Sequence, residues 1–211
     1  MKKFFLALCI GFCLCYVANA YFTSTQTALA DGVIRLHVIA NSDNDYDQAL
    51  KLKVRDRILK ETGTDLGTSQ DMDTVRYEIC KNIDYIKEVA EDEIKKNGFN
   101  YKVNVSFGLS DFPEKKYANI TLPAGNYQAL KVQIGEAKGQ NWWCVMFPPM
   151  CFINEDCVNV DDNTQTKLKS ELGDSVYSMV SSENVTYNVK FKIYELWQKG
   201  QSTIASKFRG N

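Results

Sequence analysis

The hydrophobic period of this chain changes at Gly98, and the change leaves few folds open. Upstream, Met72, Val75, Ile79, Ile83, Ile86, Ala90 and Ile94 recur every three or four residues. That spacing lines side chains along one face of an α-helix. Thr68 and Asp71 stand where a helix start needs capping groups, and Gly98 where a helix stops. Downstream, Tyr101, Val103, Val105 and Phe107 alternate with Lys102, Asn104 and Ser106, the period of a half-buried strand. A core-facing helix running into alternating strands predicts an α+β domain.

The same two periods cover most of the remaining sequence. Val33, Ile34, Leu36, Val38 and Ile39 read as a largely buried strand. After it, Ser42 and Asp45 have the spacing of a capping box. Tyr46, Leu50, Val54 and Ile58 then form one helical face, with Gly63 and Gly67 at its end. Two strands flank the turn-prone "PAGN" of 123–126, and "NVKFKIYELW" of 188–197 alternates again through Val189, Phe191 and Ile193. Leu168, Leu172 and Val176 mark one or two short amphipathic helices over 164–181. The expectation is a mostly antiparallel sheet packed against two or three amphipathic helices. It forms one domain over 31–197, followed by a flexible basic tail over 198–211.

The first twenty residues, "MKKFFLALCIGFCLCYVANA", differ from the rest. Two lysines precede an apolar run from Phe4 to Ala18, and Ala18-Asn19-Ala20 closes it as a small-x-small site. This is the layout of a secretory signal, either removed after Ala20 or kept as a membrane anchor. Both readings place the body outside the cytoplasm, with membrane association possible through residues 1–20. Removing Lys2 and Lys3 from the 25 basic residues leaves 23, against 26 acidic ones. A mildly acidic body offers no clustered charge for a nucleic acid. It keeps Cys80, Cys144, Cys151 and Cys157 in a compartment where disulfides persist. Three complete pairings are possible, and proximity favours Cys144 with Cys151.

Catalytic and metal chemistry find little support. His37 is the single histidine, and it sits inside an apolar strand, where a packed ring is the simpler reading than a general base. Cys144, Cys151 and Cys157 lack the paired spacing of a zinc site. "DNDYD" over 43–47 opens like a calcium loop, but Gln48 and Val54 stand where an EF-hand needs Gly and Glu. The expectation is therefore no catalytic residue, no metal and no cofactor.

"NWWCVMFPPMCF" over 141–152 holds two tryptophans, two phenylalanines, two prolines and two cysteines. It reads as a loop bent by prolines, closed by sulfur and plugged by aromatics. Rigid aromatic loops also anchor interfaces, because little entropy is lost on docking. Three stretches together now carry a resemblance. "VIRLHVIANSDNDYDQALKLKVRD", "FPEKKYANITLPAGNYQALKVQIG" and "NWWCVMFPPMCF" resemble, in order, the stage II sporulation protein R family of endospore-forming bacteria. The resemblance runs from about Ile34 to Phe152 and weakens after about Asp161.

The resemblance implies a non-catalytic signalling protein, made in the forespore and exported into the space between forespore and mother-cell membranes. There the family triggers a membrane-embedded aspartic protease, which leads to processing of a sigma factor precursor in the mother cell. The family stretches fall on Ala40–Asp43 and Trp142–Phe152. The binding residues expected from them are Asn41, Ser42, Asp43, Trp142, Trp143, Phe147, Pro148 and Pro149. The rival reading is a secreted hydrolase or thiol enzyme acting on cell wall or protein.

Overall fold

The computed structural model describes residues 2–68, 71–153 and 159–181. Its elements run α1 (Lys2–Gly32), β1 (Ile34–Ile39), α2 (Asp45–Thr68), α3 (Met72–Lys81), α4 (Ile83–Lys96), β2 (Val103–Phe112), β3 (Lys115–Tyr117), β4 (Ile120–Leu122), β5 (Gly125–Ile134), β6 (Asn141–Phe147) and α5 (Asp162–Ser181). The strand expected over 188–197, the basic tail and Cys157 lie outside the described residues.

Four strands form a sheet in the order β2-β5-β1-β6, and β3 pairs with β4 in a small hairpin. The chain is α+β with a mostly antiparallel sheet, as the periodicity predicts. The central pair is the exception, because β1 runs parallel to β5. A central strand flanked on both sides is largely withdrawn from water, whatever its side chains. β1 is buried at all six positions.

Helices cover one sheet face. α4 lies on β2 and α2 on β1. Leu50, Val54 and Ile58 from α2 and Ile86, Ala90 and Ile94 from α4 join Leu36, Val38, Leu130 and Val132 in one core. Each fully buried aliphatic side chain contributes about 1.5–3 kcal/mol over an exposed one. Tyr46, expected on the α2 core face, stands 77% exposed. Asp47 is buried in its place, because the chain enters the helix later than the capping box suggests. The cap is Asn44, whose Oδ1 accepts the Asp47 N–H at 2.7 Å.

The long helix expected over 72–96 is two helices. Asp71 caps the first as expected, accepting the Thr74 N–H at 2.8 Å. Asn82 ends it, with φ −103° and ψ 14°. The Asn82 side chain donates to the Glu78 carbonyl at 2.9 Å. This local bond competes with helix continuation. The apolar stripe survives the break because α4 restarts at once. α5 also contains a break, at Gly173 with φ +73°, which matches the one-or-two-helix reading of 164–181.

α1 is continuous from Lys2 to Gly32. Its final turns dock on the domain, with Leu29 buried and Gly32 against Leu172. Nearer the start, Phe4, Leu6, Ile10, Phe12, Tyr16 and Val17 are exposed. Among the described residues, no helix is long and apolar enough to cross a membrane.

Candidate functional site

"NWWCVMFPPMCF" is an edge strand and a turn rather than a loop. Its first seven residues are β6, paired with β1 on one side. The Phe147–Pro148 peptide is cis, and the Met150 N–H returns to the Val145 carbonyl at 3.0 Å. A disulfide joins Cys144 to Cys151, with their Cα atoms 4.8 Å apart. A short loop closed this way is stabilised by about 2–3 kcal/mol.

Strand alternation sends the two tryptophans to opposite faces. Trp142 lies on the α2 side, with the Arg55 guanidinium 4.1 Å from its ring centre. Trp143 lies on the other side and stacks on His37 at 5.8 Å. Both rings are half-buried, Phe147 and Pro148 are buried, and Pro149 is exposed. Phe152, not singled out from the sequence, is 67% exposed beyond the disulfide. Its ring lies 5.8 Å from the same Arg55 guanidinium. The exposed side chains of this segment are therefore Pro149 and Phe152, while both tryptophans are half-buried.

Asn41, Ser42 and Asp43 form a clasp between two loops. Asn41 Oδ1 accepts the Glu136 N–H at 2.9 Å, and Asp43 Oδ1 accepts the Gln140 N–H at 2.6 Å. Ser42 Oγ and Asn41 Nδ2 donate to Asp47 Oδ2 at 2.6 and 2.8 Å. Gly139 packs so tightly on this loop that a Cβ there would sit 2.2 Å from the Ser42 carbonyl oxygen. Burial opposes the Asp47 charge, but bonds from Ser42, Asn41, Tyr101 and Asn44 outweigh it and hold the carboxyl below its ordinary range. Burial also pulls the Lys51 ammonium down, Asp43 opposing and Arg55 reinforcing the shift. Lys51 closes the clasp by donating to the Gln140 carbonyl at 3.1 Å. The structure thus brings the two sequence-singled stretches together, because the loop held by Asn41–Asp43 leads directly into β6.

The sheet face away from α2 and α4 carries His37, which the sequence reading weighed, and Arg35, which it passed over. His37 Nε2 meets Asn141 Oδ1 at 2.7 Å, and its Nδ1 lies 3.4 Å from Ser110 Oγ. Burial lowers the imidazole pKa, the Asn141 bond opposes this, and Lys131 and Arg35 lower it further. The ring is therefore neutral near pH 7, a packed strand histidine as expected. Arg35 is fully buried. Its Nη2 donates to the Tyr117 hydroxyl at 3.0 Å, and its guanidinium lies 4.1 Å from the Phe112 ring and 4.8 Å from that of Tyr127. Among the described residues, its Nε and Nη1 have no hydrogen-bond partner. The available signal was "RLH" of 35–37: two polar residues two apart in a strand share a face.

Ser110, His37 and Asn141 have the residue types of a nucleophile, a base and its orienter. The arrangement is loose, because 3.4 Å exceeds a good O–H···N bond. Cys80 is exposed and carries a free thiol.

Fold and site together define a disulfide-tied α+β module whose best-bonded polar groups fasten its own loops. Residues 30–157 match the family described as Stage II sporulation protein R, so the chain belongs to that family and has a role in sporulation. It is 40% identical over 126 residues to the Stage II sporulation protein R of Bacillus subtilis (strain 168), covering 60% of this chain and 56% of that relative. The aligned stretch thus spans little more than half of the relative's length. No solved structure matches this chain.

Proposed function

We propose that this chain is an exported, non-catalytic ligand that activates a membrane-embedded aspartic protease during endospore formation. Activation leads to processing of a sigma factor precursor in the mother cell. The observation that carries this reading is family membership across residues 30–157, a stretch that holds both the Asn41–Asp43 clasp and the stapled β6 edge. The exposed apolar side chains of Phe4 to Val17 support an export leader or anchor. A ligand shifts a receptor only through higher affinity for its active state. A rigid edge bearing Trp142, Trp143, Pro149 and Phe152 suits that role.

The second reading, a secreted hydrolase, draws on the Ser110–His37–Asn141 set. One reconstitution separates the two. The purified chain is mixed with vesicles holding the protease and with the sigma factor precursor. Cleavage is expected only when chain and protease are both present, and Ser110→Ala is expected to activate as well as the wild type. Precursor cleavage by the chain without the protease would establish the hydrolase instead.

A further inference from the structure

We infer that the sheet face opposite α2 and α4, centred on Lys131 beside the buried His37 and walled by Trp143, is a docking platform for an acidic peptide segment. It deepens the activator reading and rests on it for the identity of the partner.

The register sets the composition of this face. Lys131, His37 and Trp143 lie in one row across β5, β1 and β6, with Ser106 of β2 completing it. Arg35 lies in the row below, beside Ala129 and Gly108. Among the described strand residues, the charged ones on this face are Arg35 and Lys131, both cationic. Asp111 belongs to the opposite face by alternation. Lys131 is half-exposed, and no ion pair to it is found among the described residues. Arg35 lies buried beneath the platform, and among the described residues two of its nitrogens have no hydrogen-bond partner. A buried cation without a carboxylate is unusual, because burial normally demands a counter-charge. Cation–π contact with Phe112 and Tyr127 replaces only part of the lost hydration. Among the described residues, no carboxylate on this face pairs with either cation, which favours an anionic ligand there.

The surface suits a chain better than a small ion. Gly108 has nothing within 4 Å of where a Cβ would stand, so the floor between β2 and β5 is open. Asn104, Ser106 and Asn141 offer hydrogen-bonding groups along the exposed strip. The Trp143 ring, propped by His37, forms an apolar wall at the β6 side. A backbone with acidic side chains can place carboxylates at Lys131 while its apolar parts lie on Trp143.

Binding can be read without the protease, so its failure would leave the activation reading untouched. The chain has one histidine, which makes its imidazole a single, assignable NMR signal. The full chain is titrated with N-acetyl-Ala-Glu-Glu-Ala-amide, with the Gln-Gln counterpart and with inorganic phosphate. The acidic peptide is expected to shift the His37 imidazole and the Trp143 indole saturably, about tenfold more tightly than the neutral peptide. Raising the salt should weaken it. Lys131→Gln should weaken binding by about fivefold with an unchanged circular dichroism spectrum, while Lys116→Gln, on the separate β3–β4 hairpin, should not. No saturable shift overturns the proposal. So does equal binding of the neutral peptide or of phosphate, or an unaffected Lys131→Gln variant.

Discussion

Along β1, Leu36 and Val38 point one way and Arg35 and His37 the other, and the two sheet faces they build differ in kind. On the helix-covered face, Leu130, Val132 and Val103 join the buried side chains of α2 and α4 in the apolar core. On the other, a guanidinium, an imidazole and an ammonium share space with tyrosine, phenylalanine and tryptophan rings. The first face is optimised for burial. The second keeps costly polar groups where apolar residues of similar volume would be more stable. That difference locates stability on one face and points to recognition on the other.

The sharpest way to break the comparison is truncation on the covered face. Ile94→Ala should lower unfolding free energy by about 3 kcal/mol, read from urea denaturation, because Ile94 is fully buried. A loss near that of a surface change would deny α4 its core role. Next comes the staple beside both faces. The double Cys144→Ser/Cys151→Ser change should cost about 2 kcal/mol in the same assay. It should also weaken protease activation per folded molecule, as should Trp143→Ala; normal activation by the folded fraction would remove β6 from the docking surface.

On the polar face the sign reverses. Arg35→Met should raise stability by about 1 kcal/mol, since removing two buried nitrogens that lack a partner among the described residues outweighs the lost bond to Tyr117. Destabilisation instead would show the guanidinium to be fully satisfied in the native state. The smallest effect is a pH dependence. The imidazole pKa in the folded chain lies below its ordinary 6.5, so the unfolded chain binds the proton more readily. Stability from neutral His37 is thus fully present above about 6.5 and declines as pH falls below it. His37→Gln should flatten that decline in a series of urea midpoints.

The two faces were not equally legible in the sequence. Apolar periodicity marked Leu50, Val54, Ile58, Ile86, Ala90 and Ile94 correctly, because a stripe at helical spacing has only one use. The polar face went unread because Arg35 and Lys131 are distant in sequence and meet only through the parallel β1–β5 register. Ser42 was misread as a cap because the clasp to Asp47 and the 135–140 turn is a tertiary feature. "NWWCVMFPPMCF" looked like a loop because its prolines and cysteines masked the alternation that makes it a strand.

What the sequence determined alone was the class of fold, the segments that form its core and the nearest partner for Cys144. Local periodicity and short-range closure specify these without reference to distant residues. Only the tertiary structure decided that the central strands run parallel, that the two tryptophans part to opposite faces, and that Arg35 and Lys131 share one face. Each depends on which strand lies beside which, and on burial that no single segment encodes.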